Sequence, residues 1–150
     1  MATAAAERHI VLYVDDDEDD LHLIDEGFAK FSSKIQLETA SDGVEAINFL
    51  VRMGQYDAKP CLIVLDINMP RQDGRETLVK IKQMEAMKNV PVILFSTSAR
   101  PLDVAFAQQH NAGFITKPVE FSKLQIIIEQ LVDHCSDDVK KILNNHNYCG

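Results

Sequence analysis

Six acids stand in a row from Asp15 to Asp20, directly after the apolar run Ile10-Val11-Leu12-Tyr13-Val14. A further acid, Asp66, ends a second apolar run, Cys61 to Leu65, and is followed by Asn68, Met69 and Pro70. Ser96-Thr97 end a third run, Val92 to Phe95, and Lys117-Pro118 follow the short segment Gly113-Phe114-Ile115-Thr116. Carboxylates held close together repel, and each raises the pKa of the others. A hard divalent cation such as Mg²⁺ (or Mn²⁺) removes that penalty through oxygen ligands. Lys117 would add a second positive charge, and Ser96 a neutral hydroxyl. A cation, an ammonium and a hydroxyl around one free carboxylate make a phosphoryl-transfer site, where catalysis is mostly positioning and charge neutralisation.

Distant residues meet in this way only if the elements carrying them are neighbours. The apolar pattern changes period repeatedly. Short β-branched runs at Ile10–Val14, 35–39, 61–65, 92–95 and 113–116 predict buried strands. Between them apolar residues recur at helical spacing: Leu21, Ile24, Phe28 and Phe31; Val44, Ile47 and Leu50/Val51; Leu78 and Ile81; Val104 and Ala107; Phe121, Leu124, Ile127, Ile128 and Leu131. Asp42-Gly43 opens the second helix, and Pro101 suits the first turn of the fourth. Gly54 to Pro60 reads as a loop. The order βαβαβαβαβα predicts an α/β fold with a doubly wound, five-stranded parallel sheet covered by helices on both faces. In such sheets the ligand site lies at the carboxyl ends of the strands, where Asp15, Asp16, Asp66, Ser96 and Lys117 all fall.

The chain has 150 residues and a formal charge of −8. That length fits one domain. The charge excludes nucleic acid as an expected partner, because phosphate binding needs a basic face. No apolar run approaches the ~20 residues of a membrane helix. Residues 1–8 read as a disordered lead-in without signal-peptide character, 9–134 as the domain, and 135–150 as a short extension. Ser136 to Asp138 would cap an extra turn with Val139, Ile142 and Leu143 inward. That extension is too short for an effector domain. The three cysteines, Cys61, Cys135 and Cys149, show no metal spacing. They are expected to be free thiols in a reducing cytoplasm.

The set Val14-Asp15-Asp16, Val64-Leu65-Asp66-Ile67-Asn68-Met69-Pro70-x-x-Asp73-Gly74, Ser96 and Lys117-Pro118 resembles the response-regulator receiver family of two-component signalling, over about residues 9–134. The resemblance implies a flavodoxin-like sheet of order 2-1-3-4-5. It implies that Asp66 is the phosphoacceptor, with Mg²⁺ (or Mn²⁺) held directly by Asp16 and Asp66, mainly through water by Asp15, and by the backbone carbonyl of Asn68. Ser96 would hydrogen-bond the phosphoryl group, and Lys117 would pair with its oxygens. The Lys117–Pro118 peptide would be cis. Phe114 holds the aromatic switch position alongside Ser96, and Asn68 and Ser98 the two positions that tune dephosphorylation. Asp73-Gly74-Arg75-Glu76 and the acidic start of the first helix resemble a subgroup of single-domain receivers serving phytochrome-type kinases. The implied partners are a sensor histidine kinase or phosphotransfer protein and a downstream protein target. The expected assembly is a monomer or weak homodimer. Kinase docking is expected on the first helix, with off-stripe Leu23 exposed, and on Val119-Glu120-Phe121.

Other readings of the same residues differ in what they require. Asp17, Glu18, Asp19 and Asp20 read as charges favoured at a helix start. Asp15, Asp17, Asp19 and Glu26 match EF-hand positions, but Asp20 stands where that loop needs glycine. Asp15-x-Asp17 superficially fits a small haloacid-dehalogenase-like phosphatase, with Asp19 replacing the expected Thr or Val. A receiver-like scaffold would not need the intact set of acceptor, acids and lysine. Thr97 competes with Ser96, and counting from Pro91 favours Ser96. The five histidines are unpaired in sequence. The phenylalanines, Phe95 and Phe106 among them, read as core.

Overall fold

The computed structural model describes residues 8–69 and 73–135. Residues 1–7, 70–72 (Pro70 among them) and 136–150, including the capped turn expected after the domain, lie outside the described residues. The elements alternate as β1 (His9–Val14), α1 (Glu18–Ala29), β2 (Ile35–Ala40), α2 (Gly43–Gln55), β3 (Leu62–Asp66), α3 (Gly74–Gln83), β4 (Val92–Ser96), α4 (Pro101–Gln109), β5 (Gly113–Thr116) and α5 (Phe121–Cys135). The five strands are parallel, in the order β2-β1-β3-β4-β5.

Strand side chains alternate between faces, and the core divides accordingly. Leu12, Val14, Ile63, Leu65, Leu94 and Phe114 pack with Leu50, Leu78, Ile81 and Ala107 under α2, α3 and α4. Val11, Tyr13, Leu62, Val64, Ile93, Phe95 and Ile115 pack with Ile24, Phe28, Leu124 and Ile128 under α1 and α5. Leu23 is 39% exposed, off the buried stripe of α1 as its spacing predicted.

Aspartates start three of the helices. Asp17 Oδ1 accepts from the backbone N–H groups of Asp19 (2.9 Å) and Asp20 (3.3 Å) at α1. Asp42 accepts from Glu45 at α2 (2.8 Å), and Asp73 from Glu76 at α3 (3.0 Å). Each satisfies amide donors that a helix start leaves without partners. Neither the EF-hand nor the phosphatase pattern gains support here: Asp17 Oδ1 serves the cap, and Glu26, the twelfth EF-hand position, is an exposed residue within α1.

Two expectations are corrected. Cys61 and Cys135 are not free thiols but a disulfide, with Cα atoms 5.9 Å apart. Cys61 precedes β3 and Cys135 ends α5, on the sheet face those two elements share. Their separation of 74 residues carries no signal in the sequence. The Lys117–Pro118 peptide is trans, as no cis bond occurs among the described residues. The two isomers of an X–Pro bond differ by only about 0.5–1 kcal/mol.

Candidate functional site

The carboxyl ends of β1, β3, β4 and β5 meet at one edge of the sheet. Asp15 follows β1 and is fully buried, its backbone N–H donating to Ala40 O (3.0 Å). Asp66 is the last residue of β3 and is 8% exposed. Ser96 ends β4, is buried, and pairs in register with Thr116 at the end of β5. The Lys117 N–H donates to Ser96 O (2.6 Å), which fixes where the lysine stem leaves the sheet. Gly74 lets α3 start directly against this edge: a Cβ there would run into the Asp66 carbonyl oxygen and meet Ile67 Cα at 2.9 Å.

Carboxylate oxygens of Asp15, Asp16 and Asp66 lie within 4.8 Å of one another. Asp15 and Asp66 are buried and Asp16 is exposed. Lys117 Nζ donates to Asp15 Oδ2 (2.9 Å) and to Asp20 Oδ2 (2.8 Å), and stands 3.9 Å from Asp66 Oδ2. The Tyr13 hydroxyl donates to Asp15 Oδ2 (2.8 Å), and the Asp17 N–H to Asp15 Oδ1 (3.0 Å). The Asn68 N–H donates to Asp66 Oδ1 (3.3 Å).

These contacts divide the charge unevenly. Burial would raise Asp15, but the Asp17 N–H, Lys117 and Tyr13 outweigh it and hold the carboxyl below its usual range. Burial pushes Asp66 up to about 7; Lys117 pulls against that, while the charge of Asp15 adds to it. Burial would lower Lys117, but its hydrogen bonds to Asp20 and Asp15 and the charge of Asp66 hold the ammonium above its ordinary value. Burial, reinforced by Asp15, drives the Tyr13 hydroxyl far above the phenol range, so it serves as a donor. Asp66 is therefore the carboxylate whose charge is least compensated. Three oxygens this close, one from an acid that is costly to ionise, fit the oxygen-ligand chemistry of a hard divalent cation.

The other expected site residues lie around this group. Asn68 is exposed beside Asp66, and Ser98 is exposed beyond Ser96, its N–H donating to Ser96 Oγ (3.2 Å). Thr97, the alternative to Ser96, is exposed. Phe114 is 2% exposed and packs in the cluster under α2, α3 and α4, so its ring lies across the sheet from Tyr13 and Phe95. Three partners were not read from the sequence. In the sequence Asp20 reads only as a helix-start charge, and Tyr13 and Phe95 only as core. The Phe95 ring meets Tyr13 edge-on and has Lys117 Nζ 5.7 Å from its centroid, so it is both core and a face for the ammonium. The available signal for Asp20 was its place one turn into a helix whose start lies beside the buried Asp15.

Residues 11–129 match the family model of the response regulator receiver domain. The chain belongs to that family of phosphoacceptor proteins in two-component signalling. Response regulator Rcp1 of Synechocystis sp. is 36% identical over 111 residues, covering 72% of this chain and 76% of the relative. The solved structure of the phosphorylated cyanobacterial phytochrome response regulator RcpA superposes with a TM-score of 0.78 at 31% identity, covering 87% of this chain and 96% of that one. The Mn²⁺-bound form of Rcp1 gives a TM-score of 0.71 at 31% identity, covering 82% of this chain and 91% of the other.

Proposed function

We propose that Asp66 is the residue that takes the phosphoryl group, from a phosphohistidine of a sensor kinase or phosphotransfer protein. The observation that carries this reading is the pairing of one undercompensated strand-end carboxylate with Lys117 at 3.9 Å and two flanking acids. In the reaction an Asp66 oxygen forms the new O–P bond as the P–N bond to the donor imidazole breaks, and the electron pair of that bond returns to the imidazole. Asp66 must be ionised to attack, so its raised pKa makes neighbouring positive charge a requirement. Lys117 supplies part of it. Asp16, Asp66, Asp15 and the Asn68 carbonyl are the groups that would hold Mg²⁺ or Mn²⁺, which when bound adds positive charge beside the transferring oxygens. The Mn²⁺-bound state of Rcp1 supports that assignment.

Ser96 is read as the hydroxyl that hydrogen-bonds the phosphoryl group, and Phe114 as the ring that reports it to the face around α4. Asn68 and Ser98, both exposed at the edge of the site, are read as setting the lifetime of the product. A groove of about 340 Å³ beside the acids is lined by Asp20, Leu23, Lys117, Val119 and Phe121. Val119 is fully exposed. This groove supports the docking of a kinase or phosphotransfer domain on α1 and the loop before α5. The likeness to RcpA favours a phytochrome-type kinase as the donor. We take residues 9–134 as the receiver unit, acting in the cytoplasm through protein contacts, as a monomer or weak homodimer. No helix among the described residues is long and apolar enough to cross a membrane.

The test is phosphotransfer from a cognate kinase, or from acetyl phosphate, in the presence of Mg²⁺. The wild type should gain one acid-stable, base-labile phosphoryl group, and a chelator or Asp66→Asn should prevent it. Full labelling of Asp66→Asn would overturn the assignment.

A further inference from the structure

Lys117 has three N–H donors on its ammonium. Two are committed to carboxylates of different elements, Asp15 after β1 and Asp20 on α1. The nitrogen is thereby fixed from two directions, with its side chain only 12% exposed. The third donor has no partner among the described residues, and Asp66 Oδ2 lies 3.9 Å off, beyond hydrogen-bond length. A phosphoryl oxygen attached to Asp66 would fall inside that gap. The ammonium can therefore meet it without leaving either anchor.

Asp20 owes its position to the start of α1. The Asp17 carboxylate accepts from the Asp20 N–H, and the first turn carries the Asp20 side chain back over the strand ends. Its neighbours in that turn behave differently. Asp19 is exposed and has its backbone N–H on the same cap, and its side chain has no partner among the described residues. Without Asp20, Lys117 would keep one short anchor, Asp15, which is itself needed by the acid cluster. The stem would then be free to rotate away from Asp66.

We propose that Asp20 is a positioning residue for phosphoryl transfer: it acts through Lys117, holding the ammonium so that its free N–H faces the oxygens gathering at Asp66. This rests on the reading of Asp66 as phosphoacceptor. Asp20 also lines the groove that also holds Leu23, Val119 and Phe121. A partner seated there would touch the residue that aims the lysine.

The experiment is the rate of phosphorylation by acetyl phosphate with saturating Mg²⁺, followed by intact mass, for wild type, Asp20→Asn, Asp20→Glu and Asp19→Asn. Acetyl phosphate needs no docked partner, so loss of a docking contact cannot mimic the effect. Asp20→Asn should lower the maximal rate about three- to tenfold, the worth of one partly exposed charge-assisted hydrogen bond. Its half-saturating acetyl phosphate concentration and its Mn²⁺ affinity by calorimetry should stay within about twofold of wild type, because Asp20 touches neither ligand. Asp20→Glu should recover part of the rate, and Asp19→Asn, with the same change of charge, should keep it. A wild-type or faster rate in Asp20→Asn, or an equal fall in Asp19→Asn, overturns the proposal while labelling at Asp66 stands. Failure of the wild type to accept any phosphoryl group would instead overturn the reading of Asp66.

Discussion

The first and fourth helices flank the same strand ends, yet they are held by different means. Helix α1 begins with an aspartate cap, buries Ile24, Gly27 and Phe28 against the sheet and α5, and carries Asp20 to Lys117. Helix α4 begins at Arg100 with no side-chain cap, and the residues it buries are Asp103 and Ala107. Leu102 is 85% exposed. Its start is tied by ions instead: Arg75 Nη1 donates to Asp103 Oδ1 (2.5 Å), and Arg100 Nε lies 3.5 Å from Asp103 Oδ2. The α1 side is thus built to place charge, and the α4 side to shift at small cost. Ser96 ends β4 and Ser98 lies in the loop that leads into α4, so under the proposed function a change at Asp66 would reach the weakly held helix first.

The disulfide offers the largest effect with which to sharpen this contrast, because it staples α5 to the start of β3 on the α1 side. Cys61→Ser should lower stability without reductant by up to about 4 kcal/mol, the chain-entropy value for a loop of this length. The same variant should match wild type once both are reduced, as read by urea unfolding. Equal stability without reductant would mean that the α1–α5 layer does not depend on the bond.

Asp66→Asn should give a change of comparable size and opposite sign. Asp66 has a folded pKa of about 7 against an ordinary 3.8. As pH rises between those values, the unfolded chain gives up its proton before the folded one does. Stability is therefore lost across that window and stays lost above it. The asparagine variant, without metal, should be more stable than wild type by up to about 4 kcal/mol at neutral pH or above, with the gain vanishing near pH 4. Saturating Mg²⁺ should narrow the difference. Thermal unfolding across pH reads both. A gain that does not change with pH would show that burial of the ionised carboxylate is not its cause.

The smallest effects concern the helix starts themselves. Asp17→Ala should cost about 1 kcal/mol through loss of the cap. Arg100→Ala should cost less than about 0.5 kcal/mol, since Arg100 itself is largely exposed, the buried Asp103 keeps its Arg75 partner, and no cap bond is lost. Equal costs in urea unfolding would erase the difference between the two helices.

Most of the architecture was readable because apolar runs and helical stripes alternate cleanly, and because each polar group of interest directly follows a strand. The strand-end rule then gathered Asp15, Asp66, Ser96 and Lys117. What it could not supply was direction within a helix turn. In a run of six acids, charge alone does not separate Asp20, which reaches Lys117, from Asp19, which does not. Tyr13 looked like any large strand residue, since its hydroxyl matters only through the neighbour two positions on. The pairing of Cys61 with Cys135 depends on where α5 ends relative to β3, which no local pattern encodes. The resemblance also implied a cis Lys117–Pro118 bond that this chain does not have.

Hydrogen exchange of wild type and Asp66→Asn, each with Mg²⁺ and with or without acetyl phosphate, tests the account most directly. In the wild type, phosphorylation should change exchange in the loop and helix from Thr97 to Gln109 and leave α1 unchanged. Asp66→Asn should show no change anywhere. An altered α1 beside an unaltered α4, or the same response in Asp66→Asn, would contradict it.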